Sequence, residues 1–131
     1  KIFKSFEIIK KTGSENEIHT AYLYEGYMIN QLSKFKDKGQ ETFTRFMVLS
    51  EYMTTHKMDN ALIFQIGPNL IESNNLKYAL GVEQRLFEML KPVKDFQDQI
   101  LINSLSNMAK AYKKMNKPED TQRILDKLKS I

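Results

Sequence analysis

Few residues in this sequence could carry out covalent chemistry. The two histidines, His19 and His56, stand 37 positions apart, and no acidic or histidine residue is placed to make a recognisable metal motif with either. No metal site is therefore expected. No serine lies in a nucleophile-elbow context, and no glycine-rich stretch resembles a phosphate loop. The carboxylate pairs Glu15/Glu17 and Asp95/Asp98 fall where helices should begin. There the helix dipole accounts for negative charge without any acid–base role. The expectation is a protein that is not an enzyme, with no catalytic residues and no cofactor.

Binding chemistry is better represented. Asn103, Asn107, Lys110 and Lys114 are separated by steps of four, three and four, which places them along one face of a helix. Amides donate and accept, and ammonium groups attract anions, so this stripe suits an extended or acidic peptide. Tyr22, Tyr24 and Tyr27 lie within six residues and cannot all share one face. At least one should be exposed, with Tyr24 or Tyr27 expected against a neighbouring helix pair.

The elements that position these residues are helices. Residues 2–11 read as a short helix broken at Thr12-Gly13-Ser14, with Ser14 able to cap the next. Ile18, Ala21, Tyr22, Met28, Ile29, Leu32 and Phe35 make an apolar stripe interrupted only by Glu25, predicting a helix over about 15–36. Lys36-Asp37-Lys38-Gly39 is a polar turn in which Gly39 suits a left-handed helix end. The next helix buries Phe43, Phe46, Met47, Ser50 and Met53 and ends near His56. A third opens at Met58-Asp59-Asn60, with Asp59 as cap, and should kink or break at Gly67-Pro68. After the turn Ser73-Asn74-Asn75, a fourth carries Leu76, Ala79, Leu80, Leu86, Phe87 and Leu90. A fifth covers about 94–115, burying Phe96, Ile100, Leu101, Leu105, Met108, Tyr112 and Met115. The last begins at Pro118 and buries Ile124, Leu125 and Leu128. Short links make successive helices antiparallel neighbours.

Composition agrees. The 131 residues suffice for a single domain with a core; 41% are hydrophobic and 27% charged, with 5 Gly and 3 Pro. The absence of cysteine excludes disulfides and thiolate chemistry and, with no glycosylation sequon, fits a cytoplasmic location. No apolar run approaches the roughly 20 residues that cross a bilayer. The chain starts at Lys1, so residues 1–131 are read as one domain of a longer protein. Residues 1–90 hold 11 basic and 11 acidic side chains, residues 91–131 hold 9 and 5, so the whole +4 excess lies in the last third. That patch suits an acidic partner. Direct nucleic-acid binding is disfavoured, because the cations there are lysines apart from Arg123 and aromatics are sparse.

The turns centred on Gly39, Asn74 and Asn116 recur after 35 and 42 residues, within the roughly 34–47 of helical solenoids. In the last unit Leu105, Met108, Ala109 and Tyr112 are followed by Asn116 and then by Leu125 and Leu128. This pattern resembles the tetratricopeptide repeat, most clearly over residues 98–128. In that family the small residue, here Ala109, lets the paired helices approach, and the aromatic, here Tyr112, fills space beside the turn. Asn116 replaces the usual turn glycine and Thr121 the usual small residue of the second helix. In the middle unit Ala79 and Asn74 match and Gly67-Pro68 departs; the first matches only at Gly39 and in its amphipathic faces. The resemblance implies an all-α fold of antiparallel helical hairpins stacked as a short α-solenoid. It implies a concave groove lined by first helices, with Asn103, Ser106, Lys110, Lys113 and Lys114 facing a bound peptide and Asn107 adjacent. The function implied is a peptide- or protein-binding scaffold, such as the sensory or interaction part of a larger bacterial regulator. A self-associating helical bundle is the competing expectation, since uncapped end repeats need a neighbour.

Overall fold

A computed structural model describes residues 2–58, 60–91 and 98–130. The described residues form seven α-helices: α1 Ile2–Thr12, α2 Glu15–Leu32, α3 Gly39–His56, α4 Ile66–Glu72, α5 Leu76–Leu90, α6 Asp98–Lys114 and α7 Pro118–Lys129. Two 3₁₀ segments, Lys36–Lys38 and Ala61–Gln65, precede α3 and α4. There is no strand among these residues, and no helix is long and apolar enough to cross a membrane. Helix α2 packs on α3, α4 on α5 and α6 on α7; α5 also packs on α3 and α6.

Local chemistry sets the ends. Ser14 caps α2 in a reciprocal box with Glu17, as expected: the Glu17 N–H donates to Ser14 Oγ at 3.2 Å and the Ser14 N–H to Glu17 Oε1 at 2.9 Å. Asn74 and Asn116 both take left-handed backbone, φ 65° and 60°. Their surroundings match closely. Asn75 N–H donates to the Leu70 carbonyl at 2.7 Å and Lys117 N–H to the Tyr112 carbonyl at 3.0 Å, the closing bond of a Schellman helix end. In each case the next helix starts two residues later. Asparagine tolerates this backbone; a β-branched residue does not. Asn74→Val and Asn116→Val should therefore each lower unfolding free energy by about 1–2 kcal/mol. Urea midpoints that matched wild type would mean that the turns do not require this conformation.

Several expectations are corrected. Gly39 is not a left-handed helix end: it is right-handed, φ −61°, and opens α3. Glycine is needed there because the Asn75 side chain occupies the space a Cβ would take. Helix α2 stops at Leu32 rather than near 36, so Phe35 falls off the buried stripe and is 57% exposed. Met47 also faces out, because the buried side of α3 runs through Thr42, Phe46, Leu49, Ser50 and Met53. Gly67-Pro68 neither breaks nor ends a helix. The irregularity lies just before it, where the 3₁₀ segment becomes α4, so Pro68 occupies the first turn, where its missing N–H has no intrahelical role. Asp59 lies outside the described residues; Asn60 caps the 3₁₀ segment, its side chain accepting from Leu62 N–H at 3.1 Å. Residues 94–97 of the expected fifth helix, with Phe96 and Asp95, also lie outside.

The main core gathers Ile29, Phe46, Leu49, Ile66 and Leu70, all fully buried, with Val82 and Leu86 of α5. A second cluster holds Leu105, Met108, Ala109 and Ile124 between α6 and α7. Side-chain amides and hydroxyls join the end of α2 and the residues after it to the 3₁₀ segment, α4 and the turn that follows α4. Asn30 Nδ2 donates to the Leu62 carbonyl and to Gln65 Oε1, at 3.1 and 3.2 Å. Asn69 Nδ2 donates to Ser33 Oγ at 3.0 Å, Ser73 Oγ to the Ser33 carbonyl at 3.0 Å, and Asn75 Nδ2 to the Phe35 carbonyl at 3.1 Å.

Candidate functional site

The candidate site is a cavity of about 460 Å³ between the end of the 3₁₀ segment, α4, α5 and α6. Phe64, Pro68, Leu86, Leu90 and Ile100 supply apolar wall. Glu83, Asn103, Ser104, Ser106 and Asn107 supply the polar groups. The size is that of small-ligand and side-chain pockets.

Glu83 is placed here by helical periodicity. It follows Ala79 by four residues and precedes Leu86 by three, so it occupies the apolar face of α5 and is only 2% exposed. Helix α6 brings its partners. Ser104 Oγ lies 3.0 Å from Glu83 Oε1 and 2.9 Å from the Glu83 carbonyl oxygen, and Asn107 Nδ2 donates to Oε2 at 3.0 Å. On the α4 side the carboxylate rests against Gly67, where a Cβ would collide with it. Gly67 thus admits the carboxyl group between helices. Burial pushes the Glu83 carboxyl up to about 7, against the weaker downward pull of the Ser104 and Asn107 hydrogen bonds. Both opposing partners are neutral.

A second buried carboxylate shows the alternative. Glu25, 5% exposed, interrupts the stripe of α2 just as Glu83 does that of α5. It receives a two-pronged bond from Arg45 of α3, Nε to Oε2 at 2.9 Å and Nη2 to Oε1 at 2.5 Å. Arg45 also reaches Glu41 at 3.2 Å. Glu25 is a paired ion, whereas Glu83 is held by neutral donors.

No family model, curated protein or solved structure matches this chain.

Of the residues expected to bind a peptide, Asn103, Ser106 and Asn107 line the cavity. Lys110, Lys113 and Lys114 are exposed and do not belong to its lining. The helical step that puts them on one face also carries them past the end of the cavity. The Asn107 amide is partly engaged, since its Nδ2 donates to Glu83. Glu83 and Ser104 were missed by sequence reasoning; the available signal was a carboxylate at a stripe position of α5. Among the tyrosines, Tyr22 is buried, while Tyr24 and Tyr27 are 66% and 51% exposed, and neither is packed away. The histidines converge on one ring: His56 stacks on Tyr52 at 4.0 Å, and His19 lies 6.4 Å from it. Tyr22 stacks on the same tyrosine at 3.7 Å. Among the described residues no group of three metal-ligating side chains converges.

Proposed function

We propose that this chain is a peptide-binding helical-repeat scaffold, its hairpins stacked as a short α-solenoid of the tetratricopeptide kind. The cavity between α4, α5 and α6 receives a side chain of the partner. The observation that carries this reading is the cavity itself: apolar wall, a few convergent polar groups, and three of the residues that the repeat register assigns to a groove. The stacked arrangement is supported by the identical turns at Asn74 and Asn116 and by contacts of α4 with both α2 and α6. Within a larger regulator, such a module would be the part that senses or docks. The acidic partner suggested by the lysine stripe does not extend to the cavity, where Glu83 disfavours an anion.

A peptide-display selection on the immobilised protein tests the reading, with Ser106→Trp as the blocked form. Ser106 is exposed and lines the cavity, so an indole there should obstruct it while leaving the thermal unfolding midpoint unchanged. Selected peptides should bind Ser106→Trp at least about tenfold more weakly, a loss of about 1.4 kcal/mol. Equal binding to both forms would place the interaction elsewhere and end the proposal.

A further inference from the structure

Glu83, whose carboxyl group is buried, forms part of the wall of the cavity. Each of its oxygens accepts one hydrogen bond within the protein, from Ser104 Oγ and from Asn107 Nδ2. A carboxylate offers about four acceptor sites, so its capacity is not exhausted. Helix α6, which supplies both partners, brings no cation to the carboxyl; Lys110, three residues beyond Asn107, is exposed and outside the lining. The other buried glutamate of this fold is matched by a guanidinium in a bidentate bond. Beside Glu25 stands Arg45, whereas beside Glu83 stand two neutral donors and an open volume of about 460 Å³.

We infer that the cavity is a site for a cationic group carried on an apolar body, an ammonium or guanidinium whose charge pairs with Glu83 while its stem lies against Phe64, Pro68 and Leu86. The inference rests on the proposed binding role of the cavity and adds the chemistry of what enters it. The bound cation would do for Glu83 what Arg45 does for Glu25, and a desolvated charge-assisted bond of this kind discriminates strongly against neutral and anionic isosteres. The same chemistry is offered by a free organic amine and by the arginine or lysine of a peptide.

Two series of probes separate these sources. The first is 4-phenylbutylamine with 4-phenylbutanol and 4-phenylbutanoate. The second is an acetylated, amidated alanine pentapeptide bearing arginine, lysine, norleucine or glutamate at its centre. Binding is followed by titration calorimetry and by amide chemical shifts at Ser104 and Asn107, on wild type, Glu83→Gln and Ser106→Trp. The amine or the arginine and lysine peptides should bind at least about tenfold more tightly than their neutral counterparts and move the Ser104 and Asn107 signals. Glu83→Gln should remove that preference. Binding by the free amine alone identifies a small molecule as the source, and binding by the basic peptides alone identifies a chain. Equal binding of 4-phenylbutanol or the norleucine peptide, with Glu83→Gln unaffected and Ser106→Trp impaired, overturns the inference and leaves the cavity reading standing. Failure of every cationic probe to bind overturns the inference as well; the display selection then decides the cavity reading on its own. Thermal unfolding of Glu83→Gln alongside wild type ensures that a lost preference reflects the site and not the fold.

Discussion

Arg45→Met should cost about 3–5 kcal/mol of unfolding free energy, the usual consequence of stripping one member from a buried ion pair. Glu25 is 5% exposed and the Arg45 side chain 14%, so water cannot replace the guanidinium once it is removed. The surface pairs of this protein, such as Lys10–Glu7 and Arg123–Asp120, are far more accessible and should contribute only about 0–1 kcal/mol each. Urea unfolding at pH 7 measures the loss. The double change Glu25→Leu with Arg45→Met should recover most of it, because neither charge then remains stranded. A loss below about 1 kcal/mol for the single variant would mean that the pair behaves as a surface contact despite its burial.

Glu83→Gln should remove a pH dependence of stability between about pH 4.5 and pH 7. Unfolded, the Glu83 carboxyl releases its proton near its ordinary value of 4.5; folded, burial holds it until about 7. Between those values the native state binds the extra proton, so stability falls as pH rises. The contribution is complete below about pH 4.5, declines across the window, and is gone above about pH 7, a total of about 3 kcal/mol. Glutamine does not titrate, so the variant should lack this decline and gain on wild type at higher pH. Unfolding free energies of both proteins at pH 4.5 and pH 8 give the test. A wild-type-minus-variant difference that is the same at the two values would show that Glu83 ionises as readily folded as unfolded.

Much of the fold is legible in the sequence because its determinants are local. Apolar spacing gives α2, α3, α5, α6 and α7, and serine and asparagine mark the cap at Ser14 and the turns at Asn74 and Asn116. The first turn misleads because glycine has two uses. At Gly39 the chain needs room for the Asn75 side chain, a residue 36 positions away, rather than left-handed backbone. The site was half visible for the same reason. Periodicity collects Asn103, Asn107, Lys110 and Lys114 on one face, yet which part of that face borders a cavity depends on where α4 and α5 end. Glu25 and Glu83 both read locally as blemishes in an apolar stripe. Their opposite fates follow from α3, which supplies Arg45, and α6, which supplies only a hydroxyl and an amide. Those partners lie 20 to 24 residues distant in sequence, beyond the reach of any helical period.

The line of amides and hydroxyls that ties the end of α2 to the 3₁₀ segment and α4 has its own consequence. Hydrocarbon surfaces are forgiving and mesh almost as well after sliding by a turn. Directional donors are not, and a slip of one residue would leave the buried Asn30 and Ser33 desolvated with nothing to bond. These side chains act like the notches of an indexing plate. They admit one setting of the two helices and penalise the neighbouring ones, so the wall on which α5 and the cavity are built arrives already aligned.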